Sequence, residues 1–153
     1  MERRVALLLT SAAVLWAVAI FLTPVAHAYH LGAPLPDAVR MLGALVCHQR
    51  VDRSFILFGE PMPVCARCTG IYLSGALGAT AAWLTVQSMP RQTRVVLLAA
   101  AMPTVASVVV EWAGLMQPGN SVRALAALPV GAACGWIFVR LLRAEAAACV
   151  IIS

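Results

Sequence analysis

Four apolar stretches govern what this chain can become, since each is long enough to cross a hydrocarbon layer of about 30 Å at roughly 1.5 Å per residue. They cover about residues 5–22, 64–86, 95–116 and 123–142. The second carries Arg67 and small polar residues near its start, the third Pro103 and Glu111, and the fourth Pro129. Proline inside a span is tolerated where neighbouring helices satisfy the freed carbonyls. Small residues crowd the second stretch (Gly70, Ser74, Gly75, Ala76, Gly78, Ala79) and the fourth (Gly131, Ala132, Ala133, Gly135). Such surfaces let helix backbones approach closely, the usual way bundles pack in lipid. The expected fold is an all-α, four-helix integral membrane bundle, one domain over residues 1–153.

Composition supports that class. Of 153 residues, 62% are hydrophobic and only 11% charged, too few charges to coat a soluble domain of this size. The net charge of +5 rests on eleven arginines and no lysine. These arginines flank the apolar stretches instead of lining one face, which argues against nucleic-acid binding and leaves the bilayer as the expected partner.

The first stretch also resembles a secretory signal, with arginines ahead of an apolar run and an Ala26-His27-Ala28 string behind it. The run exceeds the ~7–15 residues of an ordinary signal core, so a retained helix is the expectation. With four spans, Arg3, Arg4, Arg91, Arg94, Arg140 and Arg143 share one side of the membrane. Arg40, Arg50, Arg53, Arg67 and Arg123 share the other. The first helix and the short basic 87–94 turn place both termini in the cytoplasm, in the plasma (inner) membrane of a bacterium.

One hydrophilic connection, residues 23–63, separates the first two stretches. Pro24, Pro34 and Pro36 argue for loop in its first part. From Asp37, apolar Val39, Leu42, Leu45 and Val46 suggest a short interfacial helix that Asp37 caps. That helix would deliver Cys47 and His48 to the membrane surface.

The chemistry concentrates there. Cys65-x2-Cys68 sets two thiols within reach of one ion, and Cys47-His48 adds a third thiol and an imidazole. Three sulfurs and one nitrogen are a common tetrahedral zinc set, and soft thiolates suit copper(I) equally. Arg50, Arg53 and Arg67 would lower thiol pKa values and favour metal binding or redox attack alike. Two other readings stay open: a disulfide or redox pair at Cys65 and Cys68, or no special role. Cys134, in mid-span, reads as a small apolar group, and Cys149 lies in the tail. His27 and His30 read as interfacial histidines.

Cys47-His48-Gln49, Arg53-Ser54-Phe55 and Pro63-Val64-Cys65-Ala66-Arg67-Cys68-Thr69-Gly70-Ile71-Tyr72 together resemble the DUF2085 family of predicted small membrane proteins. A weaker likeness reaches Asn120-Ser121-Val122-Arg123 and Glu111, so the resemblance runs from about Cys47 to Gly131. It implies a multi-span membrane protein and no reaction.

Topology brings further residues to the same face. Cys65, Arg67, Cys68, Thr69 and Tyr72 stand at the outer end of the second span, and Asn120, Ser121 and Arg123 open the fourth. Glu111 falls about five residues, roughly 7–8 Å, below the outer end of the third. A carboxylate inside a membrane needs a cation, and Arg67 and Arg123 are the candidates. The polar set of Gln49, Arg50, Arg53, Ser54, Arg67, Thr69, Tyr72, Glu111, Asn120 and Arg123 could hold an anion or lipid headgroup, with Ser54, Thr69 and Tyr72 hydroxyls assisting. A lipid-acting enzyme would use Glu111 or His48 as general base. The chain carries no Ser-His-Asp, phosphate-loop or His-Glu-x-x-His signature, so the expectation leans away from an enzyme.

Overall fold

The computed structural model describes residues 2–32, 34–85 and 92–152, the side chains of Glu2 and of 144–152 excepted. Arg91 therefore lies outside the described residues, as does the side chain of Cys149. Five α-helices follow one another: α1 (Glu2–Ala28), α2 (Pro34–Val46), α3 (Ala66–Leu84), α4 (Thr93–Trp112) and α5 (Asn120–Ile152). Three of them, over Arg3–Ala28, Thr93–Trp112 and Asn120–Arg143, are long and apolar enough to cross a membrane. The second expected span corresponds to α3, which lacks that apolarity because Arg67, three glycines and several hydroxyl residues dilute it.

The helix bounds correct the reading of the prolines. Pro24 lies inside α1, which runs six residues past the expected end at Leu22. Pro24 is fully buried, and Thr23 Oγ1 donates to the Ala19 carbonyl at 2.8 Å beside it. The Ala26-His27-Ala28 string is the last turn of that helix. Pro34 and Pro36 open α2, where the first-turn amides have no helical acceptor and a proline costs no bond. Helix α2 therefore starts ahead of Asp37, whose carboxylate faces His27 Nε2 at 3.5 Å.

Between α2 and α3 the chain forms a 3-10 turn, Val51–Arg53, then a hairpin of β1 (Ile56–Leu57) and β2 (Glu60–Pro61). Ile56 pairs with Pro61 and Leu57 with Glu60. Phe58 and Gly59 turn between them with φ of 55° and 83°, as a type I′ turn requires. This hairpin, absent from the sequence-based expectation, is tied to α2 by Arg40, whose Nη2 donates to the Pro61 carbonyl at 3.1 Å.

Helices α3 and α5 form the most extensive interface, and α3 also lies against α1. The small residues expected to permit this do so: a Cβ on Gly131 would meet Ser74 Oγ, and would come within 2.5 Å of the Ile71 carbonyl oxygen. At the far end Arg140 and Arg143 donate to the Thr85 and Ala82 carbonyls, both at 2.6 Å, closing the negative C-terminal end of α3. Arg143 also stacks on Trp83, 4.7 Å from the ring centre. Helix α4 buries little besides Glu111 and leaves Leu98, Met102, Val105 and Val109 exposed, a surface suited to lipid.

Candidate functional site

Cys47 follows the last residue of α2, its amide donating to the Gly43 carbonyl at 2.9 Å. Its side chain is buried in a core of Ile20, Val39, Met62 and Val64, which also touches Cys65, Cys68 and Tyr72. Gln49 locks this corner, its Nε2 donating to the Arg40 carbonyl at 2.6 Å and the Pro63 carbonyl at 2.8 Å. The hairpin then carries the chain out and back, so that Cys65 immediately precedes α3 and Cys68 sits in its first turn.

The result is a set of three thiols. The Sγ atoms of Cys47, Cys65 and Cys68 all lie within 4.8 Å of one another. The Cys65 amide donates to Cys47 Sγ at 3.2 Å. The Cys65 thiol, just ahead of α3, is drawn down to about 5, chiefly by a hydrogen bond from Cys68, with Cys47 adding to the effect. Cys47, Cys65 and Cys68 are unbridged, as is Cys134, which lies apart from them, exposed on α5. The His48 imidazole is not within that three-sulfur set, but it lines the same cavity.

That cavity measures about 330 Å³. Its thiol side is Cys47, Cys65 and Cys68, and its cationic side is Arg50, Arg53, Arg67 and Arg123. Behind the cationic side stands Glu111. Arg67 Nη2 reaches its Oε2 at 2.6 Å, while Arg123 Nη2 and Arg53 Nη2 reach its Oε1 at 2.9 and 3.0 Å. The two partners expected from topology are present, and Arg53, delivered by the 3-10 turn, is a third that topology did not indicate.

Glu111 stands higher on its helix than the sequence suggested. Gly114, at φ 70°, ends α4 early: its amide donates to the Glu111 carbonyl at 3.1 Å and the Leu115 amide to the Val110 carbonyl at 3.1 Å. This left-handed cap puts Glu111 in the last turn, one residue before the helix end, instead of five residues inside it. Asn120 completes the ring, its Nδ2 donating to the Ser54 carbonyl at 2.9 Å and its Oδ1 accepting from Arg123 Nη1 at 3.0 Å.

The hydroxyls are placed elsewhere. Ser54 Oγ donates to the Arg50 carbonyl and Thr69 Oγ1 to the Cys65 carbonyl, so both serve the local backbone. Tyr72 packs edge-on against Trp16 and lines a separate apolar groove between α1, α3 and α5. His27 and His30 do not line the cavity.

A model of the family described as "Predicted membrane protein (DUF2085)" matches residues 47–137. The chain belongs to the DUF2085 family. Every thiol and arginine of the cavity falls within the matched residues, as does Glu111. One relative is an uncharacterized protein of Methanocaldococcus jannaschii, 54% identical over 35 residues, which are 23% of this chain and 22% of the relative. Another, from Methanothermobacter thermautotrophicus, is also uncharacterized and is 31% identical over 86 residues, 56% of this chain and 78% of its own length. No solved structure matches. Both relatives are archaeal, and the family membership gives a predicted membrane protein without a reaction.

Proposed function

We propose that this DUF2085 protein is a four-span membrane protein that holds a soft metal ion, zinc or copper(I), on Cys47, Cys65 and Cys68 at its extracytoplasmic face. The carrying observation is the mutual approach of three sulfurs that belong to two chain segments 18 residues apart. Sulfur-rich sites of this kind select zinc and copper(I) over harder cations. His48, on the wall of the same cavity, is the candidate fourth ligand. Where it does not close the site, the fourth position is open to a ligand, as in catalytic rather than structural centres.

Helix α3 serves as the fourth crossing, its 19 residues spanning about 28 Å. Support comes from its two ends: Arg67 meets Ser107 and Glu111 of α4 at one, and Arg140 and Arg143 of α5 close the other. That arrangement sets the thiol face opposite the face of Arg3, Arg4, Arg140 and Arg143, which the positive-inside rule assigns to the cytoplasm with both termini.

Elemental analysis of detergent-purified protein tests the metal reading. Zinc or copper near one per chain in wild type, lost in Cys65→Ser and retained in Cys134→Ser, is the expected result. Absence of either metal from wild type after reconstitution refutes it. A second reading, thiol–disulfide chemistry, is favoured by the acidified Cys65 beside two further thiols. It predicts a reversible mass shift on alkylation of cells with and without reductant, and thiols that stay free throughout refute it.

A further inference from the structure

The arginine wall carries more charge than its carboxylate can neutralise. Arg53, Arg67 and Arg123 converge on Glu111, so three positive charges face one buried negative, and Arg53 reaches a second acid, Asp52, only at 3.8 Å. Arg50 adds nothing to the balance because Asp52 pairs with it at 3.0 Å. Two positive charges remain among the side chains of arginine and acid, and one after the Cys65 thiolate is counted, at a site where Arg123 is 6% exposed and Glu111 9%. A divalent ion on three thiolates would bring one negative charge, and an excess of one would still remain.

Buried charge of one sign is costly unless an opposite charge or hydrogen-bond acceptor meets it. The guanidinium groups also have capacity left. Arg67 and Arg123 each hold a buried Nε–H with no acceptor among the described residues, and both side chains line the cavity. Guanidinium donors are arranged as a planar fork that matches oxyanions, phosphate above all. At about 330 Å³ the cavity lies at the small end of ligand pockets, right for a headgroup and too small for a large organic molecule.

We propose that this cavity is an oxyanion site that binds a phosphate group, held by Arg53, Arg67 and Arg123 with Arg50 at the rim. The group is either the headgroup of an anionic phospholipid or free phosphate, the two sharing the same recognition chemistry. The inference stands on the arginines and does not depend on the thiols binding a metal.

The experiment uses the full chain purified in detergent, with Arg53→Gln and Arg50→Gln as test variants and Arg94→Gln, on another part of the molecule, as the control. Both test residues are partly exposed, and monodispersity with a cooperative melting transition well above the assay temperature verifies each fold. Inorganic phosphate is titrated calorimetrically against a chloride background. In parallel, the protein is captured on phosphatidylcholine vesicles with and without phosphatidylglycerol, and native mass spectrometry reads co-purified lipid. Phosphate binding weakened about tenfold or more by Arg53→Gln, but not by Arg94→Gln, supports a site for free phosphate. Phosphatidylglycerol retention lost in the same variant supports a headgroup site. Wild type that prefers neither phosphate to chloride nor phosphatidylglycerol to phosphatidylcholine overturns the proposal, as do two test variants that bind like wild type. Repeating both arms with Cys65→Ser separates this outcome from failure of the metal reading.

Discussion

Arg67 Nη2 on α3 lies 2.6 Å from Glu111 Oε2 on α4, and the same nitrogen faces the Ser107 carbonyl and hydroxyl at 3.3 and 3.4 Å. A helix that buries almost nothing else is thereby tied to α3 through one carboxylate, and to α5 through Thr104 Oγ1, which donates to the Ala126 carbonyl at 2.8 Å. Removing the carboxylate leaves three guanidinium groups facing one another. Glu111→Gln is expected to lower stability by about 3–5 kcal/mol, the usual cost of stranding buried charge. Arg53→Gln, at a position 35% exposed, is expected to cost far less. Melting of the detergent-solubilised variants checks both, and a Glu111→Gln protein as stable as wild type would contradict the account.

The interface between α3 and α5 depends on absent side chains. Gly131→Val forces a branched side chain against the Ile71 carbonyl and Ser74 on a facing helix, and backbone there cannot yield cheaply. Overpacking of this kind costs about 1–3 kcal/mol or more. The expected readout is an earlier unfolding transition on titration with a denaturing detergent, with Gly119→Ala, where a Cβ meets open space, unchanged.

Asn120 is the clasp between the loop and α5. Asn120→Ala frees the Ser54 carbonyl and one Arg123 donor together and is expected to cost about 1–3 kcal/mol. Faster protease cleavage in residues 48–58 than in wild type is the local signature to measure.

Thiol reactivity carries a signed pH prediction. The Cys68 hydrogen bond holds the folded-state pKa of Cys65 near 5, against an ordinary value of 9. A depressed value means that the thiolate's contribution to stability is present above the unfolded pKa and is lost as pH falls through the folded one. In chelator-treated protein, alkylation of Cys65 should therefore inflect well below the range of a free thiol. Cys68→Ala removes the donor and should raise the inflection. Coincident profiles for the two proteins would refute the mechanism.

Reporter fusions test the topology directly. A phosphatase active only outside the cytoplasm should be active after Phe55 and Asn120 and silent after Pro90. The reverse pattern would place the thiols in the reducing compartment.

The apolar stretches and the ligand types were legible in the residues because both are local. Helices follow from runs of apolar side chains, and a Cys-x-x-Cys pair is adjacent by covalent connection. Pro34 and Pro36 misled because a proline in a first turn has no helical partner to lose, and Pro24 misled because a membrane helix tolerates a bond lost in its interior. The depth of Glu111 misled for a similar reason, since Gly114, and not the end of the apolar run, stops α4.

What remained undetermined until the chain was folded was contact across long separations. Cys47 meets Cys65 only because Gln49 and the unexpected hairpin return the chain to its starting point. Arg53 meets Glu111, 58 positions away, only because the 3-10 turn aims it over α4. Residue type and hydropathy act over one helical turn and so declare helices and chemistry. The partners of a buried charge are set by how helices pack, which no single segment encodes.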